Sequence, residues 1–334
     1  MTRAQSSPAW YHLPDMPQRV RITDVSPRDG LQNEPGIVQT ADKAELVMAL
    51  ASTGVDEIEA SSFVSPKWVP QLGDAPLLFD LLGQEETLHS ADAPMISVLV
   101  PNEKGVQGAI DANEAAGWRL ISKVSVFTAA SETFCKKNTN ATIDETLERF
   151  IPVLQLAGAG AMRVRAYLSC AIACPFEGPI APTKAAEVAS KLVALGVDEL
   201  DVADTIGVAT PEQITQMLDA VLDAVGEHYL EHLTLHLHDT NGRAADCVRS
   251  ALDRGVRSFD SAVAGLGGCP FASTADKRAP GNIDTGLLVR TIRDAGYLPG
   301  LETDIDEDAL AKATRLASSM TGAGPNRQAG GRRA

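Results

Sequence analysis

Along the chain, short runs of alternating or continuous apolar residues take turns with longer stretches whose apolar residues recur at helical spacing. Strands are predicted at Val20–Val25, Val55–Glu59, Met95–Val100, Leu120–Phe127, Met162–Ser169, Asp198–Ala203, Leu233–His238 and Ser258–Val263. Helices are predicted over 41–52, near 75–82, and over 103–116, 142–157, 182–195, 211–225 and 244–254, with two more near 285–295 and 306–319. Several of them stop at a glycine (Gly54, Gly117, Gly196, Gly255), the residue that closes a helix at least cost. Thr142-x-x-Glu145 opens another as a capping box. Eight β-then-α units in series are the signature of a parallel α/β barrel, the (β/α)8 or TIM barrel. A doubly wound open sheet would usually place a glycine-rich phosphate turn after strand one, and Ser26-Pro-Arg-Asp-Gly30 stands there instead. The expected organisation is a polar arm over 1–18, a barrel over 19–300, and a C-terminal helix with a disordered Gly/Arg-rich tail over 301–334.

Composition narrows the partners. A net charge of −15 argues against nucleic acid, which needs a basic face. It admits an anionic substrate only where the site is locally basic or holds a cation. No apolar run approaches the roughly 20 residues that span a bilayer, so no membrane partner is expected. The first 18 residues have neither an apolar signal core nor the Arg-rich, acid-poor character of a transit peptide, and the expected compartment is the cytoplasm. The five cysteines (135, 170, 174, 247, 269) lack framework spacing and read as reduced thiols.

Candidate chemistry gathers at strand C-termini, where parallel α/β folds place their sites. In Thr234-Leu-His-Leu-His-Asp-Thr-Asn-Gly242, His236 and His238 share one strand face while Leu233, Leu235 and Leu237 take the other. A lone histidine is more often a hydrogen-bonded strand end than a ligand; two at i, i+2 make a metal pair at least as good a reading. The other polar groups at strand ends are Arg28-Asp29 after strand one, Glu59 on strand two, Asp204-Thr205 after strand six, and Gly265-Leu-Gly-Gly-Cys-Pro270 then Gly281-Asn282 after strand eight. Each has a bland reading as a capping Asp, a solvated pair or a Gly-rich turn, and only a barrel gives them all a reason to converge. Asp29, His236, His238 and Asn282 would offer two nitrogens and two oxygens, which suits six-coordinate Mg²⁺, Mn²⁺ or Co²⁺ better than closed tetrahedral zinc. Arg28 would supply fixed donors where an oxyanion develops, and Cys269 would sit in a flexible glycine run.

Five stretches together closely resemble the hydroxymethylglutaryl-CoA lyases, metallolyases built on TIM barrels. They are Ser26-Pro-Arg-Asp-Gly-Leu-Gln-Asn-Glu34, Ser62-Phe-Val-Ser-Pro-Lys-Trp-Val-Pro70, Asp204-Thr-Ile-Gly207, His236-Leu-His-Asp-Thr240 and Ala264-Gly-Leu-Gly-Gly-Cys-Pro-Phe271. The resemblance runs from about Val20 to Gly296. It implies retro-Claisen cleavage of 3-hydroxy-3-methylglutaryl-CoA to acetyl-CoA and acetoacetate, dependent on a divalent metal (Mg²⁺ or Mn²⁺), as in leucine degradation. It implies Asp29, His236, His238 and Asn282 as ligands, Arg28 as the stabiliser of the enolate, and Cys269 as the lid-loop thiol linked to its protonation. Glu59 and Asp204 become groups behind the ligands or proton carriers, and the base stays open between His236 and a carboxylate such as Asp204. Arg28, Gln32, Ser62, Thr205 and Lys137 are expected to bind the acyl-CoA substrate, and a homo-oligomer, simplest as a dimer, is expected. Three departures stand out: Asp24 where the family often has Glu, Asn241 after His-Asp-Thr, and a link between Cys269 and Asn282 longer than the usual Gly-rich one. The last leaves the acyl group open among 3-hydroxy-3-alkylglutaryl-CoA esters; its Lys277 and Arg278 are candidates for the CoA phosphates, alongside Lys67, Lys136 and Lys137. A synthase of the same superfamily running the condensation forward would carry His-x-His-Asn and a large C-terminal regulatory domain. A non-catalytic acyl-CoA-binding barrel would not need Arg28 and Cys269.

Overall fold

A computed structural model of the chain describes residues 18–268 and 281–321. Eight parallel strands run β1 (Arg19–Asp24), β2 (Glu57–Ser62), β3 (Met95–Leu99), β4 (Ile121–Ala129), β5 (Arg163–Ser169), β6 (Glu199–Asp204), β7 (Leu233–Leu237) and β8 (Ser258–Ser261). They are ordered β1 to β8, and β8 pairs back with β1 through Arg21↔Ser258 and Ile22↔Phe259, closing the (β/α)8 barrel. Closure leaves the main sheet no open edge except a short Leu298–Pro299 pairing on Arg19 and Val20.

The helices are α1 (Thr40–Ala51), α2 (Ala75–Leu82), α3 (Glu103–Ala116), α4 (Glu132–Thr139), α5 (Ile143–Ala159), α6 (Pro182–Leu195), α7 (Pro211–Val225), α8 (Ala244–Arg254), α9 (Thr285–Asp294) and α10 (Glu307–Thr321). The Thr142–Glu145 capping box opens α5 as expected, and Gly117, Gly196 and Gly255 close their helices in the left-handed region. Among the described residues no helix is long and apolar enough to cross a membrane. The polar arm and the Gly/Arg-rich tail lie outside the described residues, save Gln18 and the last residue of α10.

Three expectations needed correction. Strand β2 begins two residues late and runs on to Ser62, because Glu59 and Ser61 continue the pairing onto β3 across an irregularity that the sequence pattern does not show. Strand β8 ends at Ser261, and Val263 turns into a 3-10 segment whose amide is captured by Ser26 and Asp24. Between β4 and α5 stands α4, which the apolar periodicity missed; Ser131 caps it by accepting from the Phe134 amide at 3.1 Å.

The apolar core lies between the outer strand face and the helices, with Ile22, Ile58, Val98, Val124, Leu200, Leu235 and Phe259 all buried. The inside of the barrel is different. TIM barrels usually fill it with bulky branched residues. Here each strand turns its alternate polar residues inward. Lys123 Nζ lies 2.6 Å from both Glu57 and Glu199, Arg165 Nη2 lies 2.6 Å from Glu199, and Arg21 Nη2 lies 2.5 Å from Glu199. Thr234 and Ser258 complete that layer with a 2.8 Å hydrogen bond. Above it lie Glu59, Tyr167, Asp201, Asp260 and His236, and above those the residues of the barrel mouth.

Candidate active site

Asp29 and Arg28 are set by a tight turn. Pro27 and its neighbours Ser26–Gly30 form a single π-helical turn after β1, in which the Arg28 and Gly30 amides both donate to the Val25 carbonyl. Buried Asp24 anchors the turn, accepting from the Ser26 amide (2.9 Å), the Val263 amide (3.2 Å) and the Thr285 hydroxyl (2.8 Å). The shorter acid at this position thus still joins the β1 exit to the β8 exit and to α9.

The turn aims Arg28 back over the barrel. Its Nε donates to Glu59, its Nη1 lies 2.8 Å from Asp29 Oδ1, and its guanidinium stands 5.3 Å from the Tyr167 ring centre. Burial alone would lower the Arg28 pKa, but Glu59 and Asp29 outweigh it and keep the group charged. Asp29 is the converse: burial pushes its carboxyl up, yet Arg28 and the two histidines hold it well below the usual carboxylate range. A half-buried carboxylate that stays ionised suits a cation ligand.

His236 and His238 project from β7 on the inner face, as their spacing predicts, with their Nε2 atoms 3.2 Å apart. Asp29 Oδ2 lies 3.9 Å from the first and 3.8 Å from the second. Asn282 joins them because its short segment pairs with the end of β7, bridging to His238. Its Nδ2 donates to Asp29 Oδ2 (2.8 Å) and to the Leu266 carbonyl (3.0 Å). Gly267, with φ +104°, makes room: a Cβ there would stand 2.6 Å from Asn282 Nδ2 and 3.2 Å from Asp29 Oδ2.

These residues fit a divalent ion. Two adjacent nitrogen ligands on an ion bound at about 2.1 Å sit roughly 3 Å apart, close to the observed separation of the imidazoles. Asn282 Oδ1 and His238 Nδ1 are buried with no hydrogen-bond partner among the described residues, and an amide oxygen without a donor is a natural ligand atom. Asp29, His236 and His238 form one of two candidate ligand groups among the described residues. The other, Asp201, His236 and Asp260, has the Arg165 guanidinium 3.0 Å from Asp260, so a cation is already there.

The remaining expected residues divide. Asp204 ends β6 with Oδ2 accepting from the Ala209 amide (2.8 Å) and Oδ1 buried without a partner; burial raises its pKa. Ser62 is buried at the end of β2 with its hydroxyl also unpartnered, and Gln32 is half-buried just beyond the Asp29 turn. Thr205 is engaged in the scaffold, its Oγ1 accepting from the Cys170 amide at 2.7 Å. Lys137 is exposed on α4, with Nζ 4.7 Å over the Phe176 ring. Cys269, Lys277 and Arg278 lie outside the described residues. Sequence reasoning missed Tyr167, Arg165, Asp201 and Asp260, which stand behind the ligands. The signal was present in Arg163-Val-Arg-Ala-Tyr-Leu, Glu199-Leu-Asp-Val and Ser258-Phe-Asp-Ser, where polar residues alternate with apolar ones through whole barrel strands.

The model of the HMGL-like family matches residues 19–317. This chain belongs to that family. Rat hydroxymethylglutaryl-CoA lyase, a mitochondrial protein, is 46% identical over 286 residues, covering 86% of this chain and 82% of the relative. The crystal structure of the HMG-CoA lyase from Brucella melitensis superposes with a TM-score of 0.80 at 41% identity, covering 91% of this chain and 99% of that one. An Acinetobacter baumannii HMG-CoA lyase solved with coenzyme A and 3-methylmalate gives 0.78 at 33% identity, covering 91% of each chain. Family membership agrees with the resemblance carried by the five motifs.

Proposed function

We propose that this chain cleaves 3-hydroxy-3-methylglutaryl-CoA, or a close 3-hydroxy-3-alkylglutaryl-CoA, to acetyl-CoA and a 3-oxo acid, acetoacetate for the methyl substrate. Relatives named for this activity at up to 46% identity support the reading. The observation that carries it is the joining of two functions in one turn: Asp29 faces the histidines while its neighbour Arg28, 2.8 Å away, holds a buried guanidinium at the same mouth. Asp29, His236, His238 and Asn282 would hold a divalent ion, Mg²⁺ or Mn²⁺, which when bound supplies Lewis acidity and a template for substrate oxygens.

The chain's own groups do the rest. The tertiary hydroxyl loses its proton, its oxygen becomes the ketone of the product, and the bond between C2 and C3 breaks with its electrons passing into the thioester as an enolate. Arg28 is the donor to the enolate oxygen, held in place by Glu59 and stacked on Tyr167. Between the two candidate bases, Asp204 is the better. His236 spends Nδ1 on Asp260 and turns Nε2 to the ligand set, whereas Asp204 Oδ1 is unengaged. The enolate carbon then takes a proton to give acetyl-CoA, the step the resemblance assigns to Cys269. The protein would act in the cytoplasm as a homodimer. Purified protein should release acetyl-CoA from the methyl ester, lose activity on chelation and regain it with added Mn²⁺ or Mg²⁺. Full turnover after rigorous demetallation would eliminate the metal-dependent reading, and a panel of alkyl esters would identify the substrate.

A further inference from the structure

Behind His236, on the side away from Asp29, stands a buried group that the ligand set does not use. His236 Nδ1 lies 3.0 Å from Asp260 Oδ2. Asp260 is fixed from two other directions: Arg165 Nη1 donates to Oδ1 at 3.0 Å, and the Tyr167 hydroxyl lies 3.3 Å from Oδ2. The same Tyr167 hydroxyl lies 3.1 Å from Glu59, so the group that holds Arg28 and the group that holds His236 share one donor. Asp260, Asp201 and Arg165 are all essentially without solvent exposure.

One consequence follows from donor and acceptor chemistry alone. A carboxylate at Asp260 can only accept, so the proton of His236 must be on Nδ1, and its Nε2 lone pair then faces His238 and Asp29.

We propose that Asp260 is a positioning residue for the metal centre: it locks His236 in the Nδ1–H tautomer with Nε2 aimed at the ligand set, and Arg165 and Tyr167 hold Asp260 in place. The proposal rests on the reading of Asp29, His236 and His238 as ion ligands. Carboxylate-backed histidine ligands bind metal more tightly because the ring is preoriented and its free nitrogen made more basic.

Two measurements test it. Nitrogen-15 NMR of the histidine side chains in the metal-free wild type should show His236 as the Nδ1–H tautomer; the Nε2–H tautomer would overturn the proposal, whatever the variant does. Free Mn²⁺ followed by electron paramagnetic resonance during titration gives the dissociation constant. Asp260→Asn, which can present either an oxygen or an NH₂ to His236, should weaken Mn²⁺ binding by about 10–100-fold with an unaltered circular dichroism spectrum. An Asp260→Asn protein that binds Mn²⁺ like wild type would overturn the positioning role. A wild type that binds no Mn²⁺ would instead remove the metal reading, with the tautomer still on record.

Discussion

At the scale of single residues, the site is made by side chains that are each held from two sides. Arg28 shows this most clearly. Glu59 takes its Nε and Asp29 its Nη1, so the fork geometry, not charge alone, fixes where its remaining donors point. Replacing Arg28 with Met should therefore leave Mn²⁺ stoichiometry and melting temperature near wild type while lowering turnover by about 10²–10³-fold, the size expected for losing an oxyanion donor. Turnover and metal content measured on the same sample decide it; more than half the wild-type turnover would make Arg28 structural. The residue types that carry the site were legible in the sequence as motifs. What was not legible is which partner each one meets, since Glu59 is 31 positions from Arg28, and Asn282 is 253 positions from Asp29.

At the scale of elements, loop carboxylates tie strands together, and they leave a pH signature. Asp56, just before β2, accepts from the Ile22 amide of β1 (2.8 Å) and from the Leu301 amide beyond α9 (2.6 Å). Burial outweighs these bonds and raises its pKa to about 6. An unfolded aspartate titrates near 3.9, so the folded chain takes up this proton first and gains stability from it as the pH falls. That contribution is complete below about pH 4 and is lost as the pH rises through 6. Asp56→Asn lacks it, so its deficit relative to wild type should grow by roughly 1–2 kcal/mol between pH 7.5 and 4.5, read from urea unfolding. A deficit constant with pH would show that Asp56 is not protonated in that range. Apart from α4, the existence and order of the barrel's strands and helices were legible from periodicity, and α2, α3, α6, α7 and α8 stand at the predicted bounds. The ends of β2 and β8 were not, because inter-strand register and capture of the Val263 amide by Ser26 involve distant residues.

At the scale of the whole molecule, the barrel interior is a continuous polar column from the bottom layer to the mouth. Arg21, Lys123 and Arg165 face Glu57 and Glu199 in the lower part, where Lys123 has 1% exposure and both its acidic partners lie at 2.6 Å. Burial pulls the Lys123 pKa down, yet removing the amine would leave two carboxylates short of a partner in a water-poor space. Lys123→Met should cost about 3–5 kcal/mol of unfolding free energy. Adding Glu57→Gln to Lys123→Met should recover a measurable part, because the unpaired charge is then gone. If the double variant loses the full sum of the two single losses, these side chains are not coupled in the way the geometry implies.

The sequence by itself determined the fold class, the order of the barrel strands and the family, and it singled out the candidate ligand residues. All of these follow from local patterns: periodicity, capping residues, glycine stops and short motifs within one strand–turn unit. Only the tertiary structure decided that His236 is backed by Asp260 from the next strand, that Arg165 and Tyr167 in turn fix Asp260, and that Asn282 reaches Asp29 across the β8 exit. The physical reason is closure. Joining β8 to β1 brings alternate residues of eight strands onto one axis, so each buried charge finds its partner on a strand whose place the local pattern cannot specify.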